Sequence, residues 1–168
     1  MNKPKEVLLE KRVIEERIEA LAKEIDTDYA EANPLLLTLL KGSFYFAADL
    51  SKQMQSKHSI DFLTVAHDSS GMLEIRYPPT SSLKDRHVLL IEDIIDSGLT
   101  LHYIVDYVQK QGAKSVWVCT LLDNPVRRLV ELPIRYLGFT IPDVYVVGYG
   151  LDVNEHYRNL SDIHIYEP

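Results

Sequence analysis

Residues 88–101 read Val-Leu-Leu-Ile-Glu-Asp-Ile-Ile-Asp-Ser-Gly-Leu-Thr-Leu, and several of their side chains are suited to one kind of chemistry. Glu92 and Asp93 are adjacent carboxylates, able to accept hydrogen bonds from two neighbouring hydroxyls or to hold a hard cation. Ser97 and Thr100 add hydroxyl donors, and Gly98 between them lets backbone approach an anion closely. A small molecule bearing both a diol and a phosphate would satisfy the whole group. Asp96 reads as the cap of a following helix, a place that aspartate favours.

Such a group needs a strand before it and a helix after it. Residues 88–91 form an apolar run suited to a strand buried on both faces of a parallel sheet. Apolar positions at Leu101, Ile104, Val105 and Val108, with Gly112 placed to end them, predict an amphipathic helix. The pattern puts Glu92 and Asp93 at the strand's carboxyl end, beside a helix N-terminus, where α/β proteins bind anions. A second unit of the same kind precedes it: an apolar strand at 35–40, the loop Lys41-Gly42-Ser43, and a helix over 44–54. The N-terminal segment places Ile14, Ile18, Leu21, Ala22 and Ile25 on one helical face. Further strands are predicted at 59–66, at 73–77 before Pro78-Pro79, and at 115–122, with a polar loop over 68–71. Shorter apolar pieces at 134–139, 144–147 and 163–166 read as short strands capping the sheet. The expected fold is α/β, a mostly parallel central sheet flanked by helices with a small hood over its carboxyl edge. Without repeats or linkers, residues 1–168 read as one domain, the hood being built by the terminal segments.

The acid pair followed by Asp96-Ser97-Gly98-Leu99-Thr100 resembles the phosphoribosyl pyrophosphate motif of the type I phosphoribosyltransferases, in their 6-oxopurine (hypoxanthine-guanine) branch. The resemblance implies that Glu92, Asp93, Ser97, Gly98, Leu99 and Thr100 bind the phosphoribosyl group and that Asp96 is the catalytic base. Leu39-Leu40-Lys41-Gly42-Ser43-Phe44 resembles the family's pyrophosphate loop, implying pyrophosphate contacts from Lys41 and Gly42 and a cis peptide between them. The string from Gly138 to Asp152 resembles the base-binding segment. It implies that Tyr145 stacks on a purine, that Val146 meets its edge through backbone groups, and that Asp152 is a magnesium-side carboxylate. Arg158 matches the arginine that faces pyrophosphate. The implied cofactor is Mg2+, held by Glu92, Asp93 and Asp152; the implied partners are phosphoribosyl pyrophosphate, a purine base and further copies of the chain in a homodimer or homotetramer. Two positions depart from the family. Asn124 stands where a lysine usually donates to the purine's 6-oxo group, which opens the question of base choice. The lid after Val65 reads Ala66-His67-Asp68-Ser69-Ser70-Gly71, lacking the family's tyrosine and several residues of its length, so closure over the substrate is expected to be weaker.

Composition limits the alternatives. With 168 residues, 46% hydrophobic and 26% charged, the chain can bury one sizeable core. A formal net charge of −7 argues against a nucleic-acid face built on bulk positive charge. It therefore counts against the RNA-binding regulators that share this fold. A phosphoryl-accepting receiver domain also pairs acids at a strand end, but leaves the hydroxyl loop unexplained. The mixed Lys and Glu sequence at the N-terminus lacks an apolar run of membrane length, so a cytoplasmic protein is expected. Cys119, the single cysteine, lies in an apolar run and reads as a buried bystander.

Overall fold

The computed structural model describes residues 4–167. Their largest feature is a six-stranded sheet of β2 (Leu35–Leu39), β3 (Ser59–His67), β4 (Leu73–Tyr77), β5 (His87–Ile95), β6 (Ser115–Asp123) and β7 (Ile134–Thr140). The strand order is β4-β3-β2-β5-β6-β7, parallel throughout except for β4, which forms an antiparallel hairpin with β3. Alternation along the two central strands explains their unbroken apolar runs. Leu36, Leu89 and Ile91 face one core together with α1 (Lys11–Asp28) and α2 (Phe44–Gln53). Leu35, Leu37, Val88 and Leu90 face the other, under α3 (Leu99–Lys110). Helices on both faces leave water no access to these strands, so both registers must be apolar.

From β2 the chain steps outward to β3, then returns to lay β5 on the other side of β2. The order reverses between β2 and β5, and a crevice opens at their carboxyl ends. Lys41-Gly42-Ser43 leaves β2 there, and the acid pair lies on β5 beside it. A second, three-stranded antiparallel sheet of β1 (Val7–Leu9), β9 (Ile163–Ile165) and β8 (Val146–Val147) brings the two ends of the chain together.

Some expectations are corrected. The strand read at 88–91 runs from His87 to Ile95, because Glu92, Ile94 and Ile95 continue the ladder against β6. Glu92 and Asp93 therefore lie inside the strand; they are terminal only with respect to β2, whose pairing with β5 stops at Thr38–Ile91. The segment at 134–139 is not part of a cap: as β7 it joins the main sheet, parallel to β6. The strand read at 144–147 is reduced to two residues. Helix α3 starts at Leu99 with Gly98 as its N-cap at φ 79°, so Asp96 does not cap it. A left-handed turn needs a residue without Cβ strain, which Gly98 provides. Among the described residues, no helix is long and apolar enough to cross a membrane. The reading of 1–168 as one domain extends to residues 1–3 and 168, which lie outside the described residues.

Gly138 shows how closely β6 and β7 approach: a Cβ there would lie 2.3 Å from the Leu121 carbonyl oxygen. The contact is with backbone, so it cannot be relieved by a rotamer change. Gly138→Ala is expected to lower stability by about 1–3 kcal/mol, read as a lower urea midpoint with an unchanged m-value.

Candidate active site

The acid pair is held in place by the loop that leaves β2. The Ser43 hydroxyl donates to Glu92 Oε1 at 2.7 Å and accepts from the Asp93 amide at 3.1 Å. The Ile94 amide donates to Asp93 Oδ1 at 2.8 Å. Gly42 is required by contact: a Cβ on it would lie 1.8 Å from Asp93 Oδ2 and 3.1 Å from the Gly150 carbonyl oxygen. Burial beside a second carboxylate raises the proton affinity of Glu92 well above the usual range, with the Asp93 charge adding to the effect. Burial also raises Asp93, though less strongly, because hydrogen bonds favour its charged form.

The β2 loop contains a cis peptide, but at Leu40–Lys41 rather than between Lys41 and Gly42. The corner lies where two frameworks meet. The Leu40 amide still donates to Leu63 on β3, whereas the Lys41 carbonyl already accepts from Phe44 at the start of α2. Lys41 is exposed, with its Nζ 3.2 Å from Glu155 Oε2.

Three hollows meet at the acid pair, each lined by Glu92, by Asp93 or by both. One, beside the β2 loop, is lined by Lys41, Gly42, Ser43, Glu92, Asp93 and Thr100. The second lies at the start of α3 and is lined by Glu92, Asp96, Ser97, Gly98 and Thr100. Leu99 lines none of the three; its side chain is exposed, and its amide approaches Ser97 Oγ at 3.4 Å. The third, a cavity of about 280 Å³, is lined by Asp93, Asp96, Asn124, Tyr145, Val146, Asp152 and Arg158. Apart from Leu99, then, every candidate site residue lines at least one hollow.

The third hollow has an aromatic wall and an open strand edge. Tyr145 is half exposed, and its carbonyl accepts from the Tyr166 amide at 2.8 Å. Hydrogen-bonded and free pairs alternate in an antiparallel ladder, so the neighbouring Val146 turns its own amide and carbonyl away from β9. Asn124 is buried, with its Nδ2 directed to Asp143 Oδ1 at 3.5 Å and its Oδ1 lacking a hydrogen-bond partner. Asp143 also pairs with Arg127, whose Nε lies 3.8 Å from Asp96 Oδ1. Arg127 also lines the third hollow, and neither it nor Asp143 is among the candidate site residues.

Opposite the acid pair, Arg158 is fixed by three oxygens. Its Nη1 donates to the Gly150 carbonyl at 2.7 Å, while Nη2 lies 2.8 Å from Asp152 Oδ1 and 3.5 Å from Glu155 Oε2. Gly150 approaches the β2 loop so closely that a Cβ on it would lie 2.3 Å from the Gly42 carbonyl oxygen. The shortened lid is the exposed tip of the β3–β4 hairpin. There Asp68 accepts from the Ser70 and Met72 amides, which makes it a turn-former.

The hard oxygens of Glu92, Asp93 and Asp152 suit a small divalent cation. Among the described residues, no three or more His, Cys, Asp or Glu side chains are gathered into a cation cage. Magnesium takes one or two carboxylates and completes its shell with water and ligand phosphates, and these three side chains offer oxygens of that kind.

A family model described as the phosphoribosyl transferase domain matches residues 6–154. The hypoxanthine-guanine phosphoribosyltransferase of Streptococcus pneumoniae is 43% identical over 167 residues, covering 96% of this chain and 93% of that protein. The bifunctional protein TilS/HprT of Listeria monocytogenes is 43% identical over 172 residues, but this chain spans 26% of its length. The crystal structure of a hypoxanthine-guanine phosphoribosyltransferase from Bacillus anthracis superposes with a TM-score of 0.93 at 38% identity, covering 98% of this chain and 99% of that one.

Because the Glu92 pKa is raised on folding, the stability it contributes is present below its ordinary pKa and is lost as pH rises through the raised value. Glu92→Gln removes that loss while keeping an acceptor for Ser43. Its urea midpoint is expected to exceed the wild type's at pH 8, with the gap closing towards pH 4.

Proposed function

We infer, because this chain belongs to the phosphoribosyl transferase domain family, that it is a purine-salvage glycosyltransferase. In our reading it moves the 5-phosphoribosyl group of phosphoribosyl pyrophosphate to hypoxanthine or guanine, giving IMP or GMP and pyrophosphate. One observation carries this reading: the acid pair joins three hollows, with both acids in the one beside the β2 loop, Glu92 in the one at the start of α3 and Asp93 in the one beside Tyr145, and their linings suit the three parts of such a substrate set. The hydroxyls and backbone at Ser97–Thr100 suit a 5′-phosphate at a helix N-terminus. The Lys41 and Arg158 cations suit pyrophosphate, and the Tyr145 wall with the Val146 edge suits a flat heterocycle.

On this reading a purine ring nitrogen forms a bond to the anomeric carbon while the bond from that carbon to the pyrophosphate oxygen breaks. The ribose ring carries positive charge in between. Asp96 takes the proton from the attacking nitrogen, and Lys41 and Arg158 neutralise the departing oxyanion. Glu92 and Asp93 hold the ribose hydroxyls and so fix the anomeric carbon in line with the base. Magnesium, held by Asp152 together with Glu92 and Asp93, would supply further charge neutralisation to the pyrophosphate. Tyr145 stacks the base, and Val146 offers it backbone donor and acceptor groups. The proposal extends to a cytoplasmic enzyme that works as a homodimer or homotetramer. Exposed Phe44, Ile60, Phe62 and Tyr77 supply apolar surface for assembly, and light scattering measures the state directly.

Pyrophosphate release, measured with magnesium and phosphoribosyl pyrophosphate against hypoxanthine, guanine, xanthine, adenine and uracil, tests the reaction. Turnover with hypoxanthine or guanine supports it, and no turnover with any base overturns it. Asp96→Asn is expected to lower kcat by about 100-fold or more, the usual worth of a general base; near-normal turnover would remove Asp96 from that role. Asn124→Lys replaces an uncharged amide directed at Asp143 with a longer cation. It is expected to lower KM for a 6-oxopurine roughly tenfold, matching about 1.5 kcal/mol for a charge-assisted hydrogen bond, and to leave adenine unaided.

A further inference from the structure

Residues 153–156 form a tight hairpin turn. Val153 and His156 exchange both backbone hydrogen bonds, at 3.2 and 3.0 Å, around Asn154 at φ 53° and Glu155 at φ 64°. Two left-handed central residues define a type I′ turn, for which Asn followed by Gly is the favoured pair. Asn154 suits the first place, but at the second a glutamate stands where glycine would be free of Cβ strain. Local folding does not explain the choice, and what the side chain touches does.

Glu155 reaches out of the turn between two cations from distant parts of the chain. Its Oε2 lies 3.2 Å from Lys41 Nζ, on the loop after β2, and 3.5 Å from Arg158 Nη2. Arg158 is already held by Asp152 and by the Gly150 carbonyl, so it needs no further partner to stay in place. The Glu155 carboxylate is solvent-exposed. It sits as an oxyanion between the two side chains assigned above to the leaving pyrophosphate.

We propose that Glu155 is a built-in stand-in for the pyrophosphate oxyanion: it occupies Lys41 and Arg158 in the unliganded protein and competes with the pyrophosphate group for them. This rests on the assignment of Lys41 and Arg158 to pyrophosphate. The consequence is that pyrophosphate, as substrate group or as product, must displace one internal negative charge to bind, and product release is assisted when that charge returns. Substrate affinity is thereby exchanged for faster clearing of the site.

Isothermal titration of magnesium pyrophosphate into wild type, Glu155→Gln, Lys41→Met and the double variant tests the proposal. Glu155→Gln is expected to bind magnesium pyrophosphate about threefold to tenfold more tightly, the range for removing one exposed charge competitor. The gain is expected to shrink when Lys41 is already Met. KM for phosphoribosyl pyrophosphate should fall in parallel, while KM for the base stays put. Glu155→Asn, which keeps a residue tolerant of the left-handed turn but loses reach and charge, should move binding in the same direction. Unchanged or weaker binding by Glu155→Gln would overturn the proposal and leave Glu155 as a structural tie, which a lowered Tm would register. If wild type bound IMP but no magnesium pyrophosphate, the assignment of Lys41 and Arg158 would itself fail, and the proposal with it.

Discussion

Glu92 and Asp93 set two carboxylates side by side within a central strand, where burial penalises charge on both and the Asp93 charge further opposes the ionisation of Glu92. Much of the surrounding packing follows from accommodating them. Ser43 supplies a hydroxyl that serves both residues, Gly42 clears the space into which Asp93 points, and Gly150 makes room for the Gly42 backbone. The cations Lys41 and Arg158 stand at the mouth of the crevice rather than in contact with the pair, paired instead with Glu155 and Asp152. A site arranged this way keeps an electrostatic cost that hydroxyl donors or a cation can relieve. Stability is given up where binding needs it.

The sheet turns this local arrangement into a site. Strand order reverses between β2 and β5, so the loop after β2 and the acid pair on β5 emerge together. The ladder between β5 and β6 continues past the end of β2 and carries the acids beyond it, still anchored by main-chain hydrogen bonds. Anchoring on a strand holds the two carboxylates more firmly than a loop would.

Much of this was legible in the sequence because it is encoded locally. The apolar runs at 35–40 and 88–91, the helical stripe from Ile14 to Ile25, and the hydroxyl loop before α3 are patterns that a few neighbouring residues establish. All candidate site residues but Leu99 line the crevice. What escaped depends on partners far away in the chain. The run at 134–139 alternates like many short strands, and only its register against β6 places it in the main sheet. The continuation of β5 through two acidic residues contradicts their low strand propensity, and tertiary pairing overrides it. Asp96 looks like a helix cap because aspartate favours that role, yet the left-handed Gly98 starts the helix instead. The Asp143 link to Arg127 and Asn124, and the Glu155 bridge, join residues that no local motif connects.

A crystal structure of the protein with inosine 5′-monophosphate tests the central assignment most directly. The expected complex has the 5′-phosphate against the Ser97–Thr100 loop, the ribose hydroxyls at Glu92 and Asp93, and the base against Tyr145 with its edge at Val146. A nucleotide seated elsewhere, or one whose phosphate lies at Lys41 and Arg158 with the Ser97–Thr100 loop empty, would contradict it.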